Sequence, residues 1–353
     1  MRFNGRIVRL AALFLLIAAP AALGGEAEVM LNQAITLHDA GDPKAALELY
    51  DKAIKANPRL AEAYYNRGNA YYDLGQNHQA IKDYSQAIRL NPGDAEAYFN
   101  RANAYRRLNN DAMALQDYSA AIKSNPDDVR SYVNRGSLHF ARNRYEAAVK
   151  DFSAALQLSP EDPDIYYNRG NAHLASNQIE RAIQDYDAAV TLDPKLTDAY
   201  YNRGIAHALS GQHEQAIADF DEVLSRRPRS ADAFYNRGLS NAELGRHEAA
   251  VEDFSEALRI DPQDAGANHN RGLAYLRTGA YNRAARDFSE AIRLRPRNAE
   301  AYVYRGIARI YQDRDKEAEL DFQKAFQLDP ALRKKIQPLI NEAREQRKRS
   351  RTE

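Results

Sequence analysis

The sequence predicts an all-α solenoid of nine 34-residue helix-turn-helix units with a C-terminal capping helix. Proline recurs every 34 residues without insertion or deletion, apolar residues in each unit follow helical spacing, and one fixed place always holds Gly, Asn or Asp. Such fixed self-similarity indicates stacked helical repeats. The prolines are Pro58, Pro92, Pro126, Pro160, Pro194, Pro228, Pro262, Pro296 and Pro330.

The second repeat shows how each repeat is built. Tyr64 and Tyr71 mark one face of a first helix, and Gly75 ends it because glycine tolerates the left-handed conformation. A second helix begins before Ala80 and ends at Pro92, which cannot continue it. The predicted stops are Gly41, Gly75, Asn109, Asn143, Asn177, Gly211, Gly245, Gly279 and Asp313. The predicted repeats fill 27–332, as 27–60, 61–94, 95–128, 129–162, 163–196, 197–230, 231–264, 265–298 and 299–332.

This pattern resembles that of the tetratricopeptide repeat (TPR) family. The residues that carry the resemblance in the second repeat are Tyr64, Arg67, Gly68, Tyr71, Ala80, Tyr84 and Pro92. The resemblance implies antiparallel helix pairs stacked into a right-handed superhelix. It also implies a concave groove lined by the first helix of each pair, where related proteins use a row of Asn to hold an extended peptide.

Residues 1–24 are typical of a secretory signal peptide. A basic start is followed by an apolar run from Leu10 to Leu23, and small residues precede an expected cleavage after Gly24. We therefore expect a periplasmic or secreted protein. The alternative is an uncleaved membrane anchor, although the run is shorter than the ~20 residues of a typical span.

Charge and composition exclude several classes of function. The charges of the 49 basic and 49 acidic residues cancel. Residues 1–24 carry a net charge of +3 and residues 331–353 a net charge of +5, which leaves −8 on the body of the protein, residues 25–330. An acidic body argues against general nucleic-acid binding. With no cysteine and no phosphate-binding or catalytic motif, we expect no enzyme activity, cofactor or metal.

Eight repeats carry an Arg where the family usually has an apolar residue, and an Asp sixteen residues later. Arg67 with Asp83 and Arg169 with Asp185 are examples, and repeat one lacks both features. Pairing within one repeat gives every one of these Arg residues an Asp partner. We therefore predict an ion pair across each helix pair, with Arg engaging the carboxylate through two hydrogen bonds.

A row of Asn precedes those Arg residues, although Asn is a poor helix former. Its amide suits binding of a peptide backbone, and aromatic and Arg side chains beside it are common interface anchors. The predicted partner-binding residues are Asn66, Asn100, Asn134, Asn168, Asn202, Tyr65, Phe99, Tyr167, Tyr201, Asn69, Asn103 and Arg106. In the alternative interpretation, the amides bond neighbouring helices and the aromatics fill gaps between repeats.

His139, His173 and His207 share one place in three successive repeats. We expect no carboxylate near them and interpret them as substituted core aromatics rather than metal ligands.

The C-terminal segment 333–353 is predicted to cap the last repeat with a basic helix. Pro338 should kink or restart that helix, and the final RKRSRTE should fray.

These features predict an exported scaffold that binds a protein or peptide. The alternatives are a membrane-tethered assembly factor, if the signal segment is retained, and an enzyme with carboxylates in the groove.

Overall fold

The computed structural model describes residues 25–349 as an all-helical chain, which confirms the predicted fold class. Its nineteen helices, all within that range, form nine consecutive pairs and one C-terminal helix. In chain order they are α1 Glu26–Asp39, α2 Pro43–Ala56, α3 Ala61–Asp73, α4 Asn77–Leu90, α5 Ala95–Arg107, α6 Asp111–Ser124, α7 Val129–Ala141, α8 Tyr145–Leu158, α9 Pro163–Ala175, α10 Ile179–Leu192, α11 Thr197–Leu209, α12 His213–Arg226, α13 Ala231–Glu243, α14 His247–Ile260, α15 Ala265–Arg277, α16 Tyr281–Leu294, α17 Ala299–Tyr311, α18 Asp315–Leu328 and α19 Leu332–Arg349.

Every turn inside a pair passes through one residue with positive φ. These residues are the nine predicted helix stops, with φ from 55° at Asn143 to 85° at Gly41. The left-handed conformation ends the first helix and lets the chain reverse into the second. The stops identified from the sequence are therefore confirmed.

The turns between pairs are set by proline and by capping side chains. In the second repeat, Pro92 follows the end of α4, and the Asp94 carboxylate accepts a 3.0 Å hydrogen bond from the Ala97 N–H to start α5. Asp162, Ser230, Asp264 and Asn298 cap later first helices in the same way.

Small residues let the two helices of a pair approach closely. A Cβ added at Gly68 would lie 2.7 Å from the Tyr84 ring, and Tyr84 and Ala80 are fully buried. The core is thus a series of aromatic rings from second helices packed against small residues of first helices.

The chain divides into two compact units, one ending at Ser159 and the other starting at Pro160. Within each unit, a first helix packs on its own second helix, and that second helix packs on the next first helix. Contacts therefore run between neighbours along the chain, as expected of a repeat protein.

The last helix, α19, packs on α17 and α18. It runs without a break through Pro338, so of the two outcomes predicted for this proline, a kink or a restart, the restart was wrong. Ile336 and Ile340 are buried on either side of the proline and hold both halves against repeat nine. The expected fraying was also wrong for Arg347, whose guanidinium donates to Asp315 at 2.7 Å and to the Ile310 carbonyl at 3.0 Å. Residues 350–353 of the segment expected to fray lie outside the described residues.

The predicted signal segment 1–24 lies outside the described residues. Within residues 25–349, none of the helices has the length and apolar character that crossing a membrane requires.

Candidate functional site

The candidate site is the side of the first helices that carries the Asn row, which we call the first-helix face. Counted from the start of each repeat, its residues occupy positions 2, 5, 6, 9, 12 and 13. Positions 2, 6, 9 and 13 are separated by three, four or seven residues, which places them on one side of a helix. The Asn row holds position 6, at Asn66, Asn100, Asn134, Asn168, Asn202, Asn236 and Asn270.

The amides of the Asn row join neighbouring repeats. Asn100 Nδ2 donates to the Tyr65 hydroxyl at 2.9 Å and to Asn69 Oδ1 at 3.1 Å, both in the preceding repeat. Asn202 makes the same two bonds, to Tyr167 at 3.3 Å and Asn171 at 2.8 Å. These donors are therefore committed to the fold, and Oδ1 is the atom each amide has left for a ligand.

Other members of the row differ in detail. Asn134 donates to Asn103 Oδ1 at 3.3 Å, whereas Asn66 bonds only its own helix, at the Glu62 carbonyl. Asn236 and Asn270 donate to tyrosine hydroxyls at 3.1 Å and 2.9 Å. Asn168 lies half-buried at the same place on α9.

A second polar contact depends on position 9. Where that residue is Asn, its Oδ1 accepts a hydrogen bond from a buried tyrosine of the second helix: Tyr84 to Asn69 at 2.8 Å, Tyr118 to Asn103 at 2.5 Å and Tyr186 to Asn171 at 2.7 Å. Repeats four and six to nine carry Phe instead of that tyrosine, with Ser or an aliphatic residue at position 9. In repeats two to nine the two positions change together, a signal that was available in the sequence.

The predicted aromatic anchors are not equally accessible. Phe99 is only 8% exposed and packs on Tyr118, so it fills the gap between repeats instead of facing a ligand. Tyr65, Tyr167 and Tyr201 are half-buried. Burial raises the pKa of Tyr65 and of Tyr201, so both stay neutral hydroxyls at physiological pH.

Exposed cations lie in the third repeat. Arg106 is exposed near the Tyr118 hydroxyl, where its charge opposes the rise that burial imposes on the pKa of Tyr118. Arg107 stacks on the Tyr72 ring with its guanidinium carbon 3.6 Å from the ring centre. This part of the face therefore combines cations, aromatic rings and amide oxygens.

Below the face, each of the eight Arg residues is held by the Asp of its own repeat. In repeat three, Arg101 donates from Nε to Asp117 at 2.7 Å and from Nη2 at 2.8 Å. Asp117 is 1% exposed. Arg67–Asp83 and Arg169–Asp185 have the same two-bond geometry.

Several of these Arg residues also reach back to the preceding repeat, a contact that the sequence reasoning missed. Arg101 Nη1 donates to Ser85 at 2.9 Å, and Arg67 Nη1 donates to Asp51 at 2.5 Å, in the repeat that lacks an Arg of its own. Burial lowers the pKa of Arg67, but the bonds and charge of Asp83 and Asp51 raise it further, above its ordinary value. Such an Arg ties three helices together.

The three histidines lie beside these ion pairs. Their Nε2 atoms are 3.9 Å, 3.7 Å and 3.8 Å from Asp151, Asp185 and Asp219 respectively. The expectation that no carboxylate lies near them was wrong, because the Asp of the second helix points toward position 11. Within residues 25–349, no three His, Asp or Glu side chains cluster as metal ligands.

Sequence comparison finds the same repeat along the chain. Models described as TPR repeat match residues 36–75, 68–109, 136–176 and 170–211. Models described as tetratricopeptide repeat match 95–128, 201–265 and 265–298. No curated protein matches the chain.

Several solved structures are similar. YrrB, described as a TPR protein with an unusual peptide-binding site, is 29% identical over 54% of this chain and 97% of its own, with a TM-score of 0.50. A tetratricopeptide repeat protein from Parabacteroides merdae is 21% identical over 71% of this chain and 99% of its own, with a TM-score of 0.50. Part of a TPR repeat-containing protein from Cytophaga hutchinsonii is 17% identical over 77% and 97%, with a TM-score of 0.52. The last two show the fold alone.

Proposed function

This chain belongs to the tetratricopeptide repeat family, and on that premise we propose that it is an exported scaffold holding an extended peptide of a partner protein along its first helices. The observation that carries the proposal is the row of amides along the first-helix face, with Arg106 and half-buried tyrosines beside it. The similarity to YrrB, which has a peptide-binding site, supports the same assignment. Because the amide donors bind neighbouring repeats, we assign the peptide N–H groups to the Oδ1 atoms.

A binding role fits the carboxylates better than catalysis. Burial raises the pKa of Asp83 and of Asp219, with the paired Arg opposing the rise. Each of these carboxylates is held by two or more hydrogen bonds from an Arg, so neither is available as a general acid or base. We therefore propose no enzymatic activity.

Partner capture tests the proposal. Wild type and an Asn66→Ala, Arg106→Ala double variant are used as bait in extracts of the exporting compartment. Asn66 bonds the Glu62 carbonyl of its own helix, and Arg106 lies near Tyr118 of its own repeat, so both substitutions spare the contacts between repeats. We expect an unchanged melting temperature and a loss of partner affinity of about thirtyfold or more, because one charge-assisted and one neutral hydrogen bond together contribute about 2 kcal/mol or more.

The control is Arg89→Ala on α4, where the Arg bonds only Gln86 of its own helix. Capture by that variant should match wild type. Unchanged capture by the double variant would overturn the assignment of the first-helix face.

Export is tested by the mass of the mature protein. We expect cleavage after Gly24, and a chain that retains Met1 or Arg2 would favour the membrane-tethered alternative.

A further inference from the structure

The first-helix face changes character within the compact unit that starts at Pro160. Position 9 is Asn171 in α9, but it is aliphatic in α11, α13 and α15, and position 13 adds Leu209, which is 62% exposed. Aliphatic side chains thus line the C-terminal half of three successive first helices. We call them the aliphatic strip, comprising Ile205, Leu209, Leu239 and Leu273, of which Leu209 is exposed and the other three are half-buried.

An acidic edge runs beside this strip. Position 2 is Asp164, Asp198, Asp232 and Glu300 in α9, α11, α13 and α17, and all four are exposed, whereas α15 has Gly266 there. Asp198 also pairs with Arg227 at 2.6 Å. Position 2 lies seven residues before position 9, which is two turns or about 10 Å along the same side of a helix. The separation between acidic edge and aliphatic strip is therefore about the width of one α-helix, ~10–12 Å.

Repeat nine shows what covers such a strip. Its residues at positions 5, 9 and 12 are Val303, Ile307 and Ile310, which are only 1%, 5% and 0% exposed. They are buried in one cluster with Leu332, Ile336 and Ile340 of α19. The helix that covers them is amphipathic and basic, and its Arg347 and Arg344 bond acidic side chains of α18.

We propose that the aliphatic strip and its acidic edge bind a basic amphipathic helix of a partner protein. The partner would place apolar side chains on the strip and Lys or Arg along the acidic edge. Residues seven apart on that helix are about 10.5 Å apart, close to the 8–10 Å between packed helices, so its apolar residues can meet successive first helices while its basic residues lie beside Asp164 and Asp232. Charge complementarity selects the basic partner, and the exposed leucine supplies apolar area.

This inference rests on the proposed function only in taking the first-helix face as the ligand side. The probe is a fluorescein-labelled 18-residue peptide of Leu and Lys, with Leu at helical spacing, titrated with the full chain and followed by anisotropy. Two control peptides carry Glu in place of Lys, or the same residues with Leu spread around the helix. We expect binding of the first peptide alone, weakened by added salt because both sets of charges are exposed.

Matched variants locate the binding site. Leu209→Gln and Asp232→Lys should each weaken binding by about tenfold, from a lost apolar contact and a reversed charge. Leu320→Gln on α18 is the control for the first variant, because Leu320 is 64% exposed on a second helix. Glu248→Lys on α14 is the control for the second, and both controls should bind as wild type does.

The proposal is overturned if the Leu/Lys peptide does not bind, or if the controls weaken binding as much as the strip variants do. Failure here is distinguishable from failure of the proposed function, because partner capture by the Asn66→Ala, Arg106→Ala variant reports on the other part of the face. If the double variant loses partner capture and the Leu/Lys peptide does not bind, this inference is overturned and the proposed function stands.

Discussion

At the scale of single residues, the buried hydroxyls show how closely side chains are matched across a helix pair. Tyr84, Tyr118 and Tyr186 each donate a hydrogen bond from the hydroxyl to an Asn Oδ1 at position 9. Tyr50 in repeat one is fully buried, but position 9 there is Ile35, and its hydroxyl has no partner within residues 25–349. Burial, with a smaller effect of Asp39, raises the pKa of Tyr50 to about 12.

Tyr50→Phe should therefore stabilise the protein by about 1 kcal/mol, because it removes a buried polar group that makes no hydrogen bond. Tyr84→Phe should destabilise it by about 1 kcal/mol, because Asn69 loses a donor. Urea unfolding of the two variants beside wild type measures both changes. Equal effects of the same sign would show that the hydroxyl environments do not differ as described.

The sequence predicted these contacts only in part. It identified the Arg67–Asp83 type of pair because both residues disappear together in repeat one. It missed the third contact, to Asp51 or Ser85, because that acceptor varies between Ser and Asp and lies in another repeat. It also left undecided whether the Asn row binds a ligand or neighbouring helices. Residue spacing places an amide on one face of a helix but does not show which group its N–H donors reach.

At the scale of helices, the Arg residues of the ion pairs connect three helices. Arg271 in α15 holds Asp287 in α16 at 2.7 Å and 2.9 Å, and it reaches Ser255 in α14 at 3.1 Å. The pair is largely buried, since Asp287 is 7% exposed. A buried ion pair of this kind fixes how helices meet more than it adds net stability.

Arg271→Leu should cost about 3–5 kcal/mol, because it leaves a buried carboxylate unpaired. Adding Asp287→Leu should recover most of that loss, since an apolar pair can replace a buried ion pair. The measurement is a double-mutant cycle by urea unfolding, with Arg293→Leu as a control whose exposed pair with Glu290 should matter little. Additive losses in the double variant would contradict the pairing.

Histidines beside these ion pairs should make the stability of the fold depend on pH. Burial lowers the pKa of His139 and of His173 below the usual value near 6.5, while Asp151 and Asp185 oppose the shift. The unfolded chain then binds protons more readily than the folded chain does. Their contribution to stability is complete above about pH 6.5 and is lost as the pH falls toward the lowered values.

His139→Tyr with His173→Tyr should therefore reduce the loss of stability between about pH 7 and 5. Tyrosine already stands at this place in Tyr71, Tyr105 and Tyr275, so the exchange suits the fold. Unfolding midpoints measured across that range test the claim. A decline as steep as that of wild type would assign the pH dependence to other groups, such as His269, whose pKa burial also lowers.

At the scale of the whole chain, the period of 34 residues was enough to predict the helix pairs, their stops and the capping helix. The period did not predict that helix α19 would run through Pro338, because that outcome depends on the tertiary packing of Ile336 and Ile340. In a protein whose contacts run between neighbours, the stability of the last repeat depends on what covers it.

Removal of residues 332–353 should therefore loosen repeat nine and leave distant repeats intact. It would expose Val303, Ile307 and Ile310, which are at most 5% exposed beneath α19. Hydrogen exchange followed by mass spectrometry should show faster exchange in α17 and α18, a smaller effect in α15 and α16, and none in α1–α6. The control removes only residues 350–353 and should exchange as wild type does. If α17 and α18 keep their protection without α19, repeat nine does not need α19 for its stability. Uniform loss of protection would instead show that the chain unfolds as a single cooperative unit.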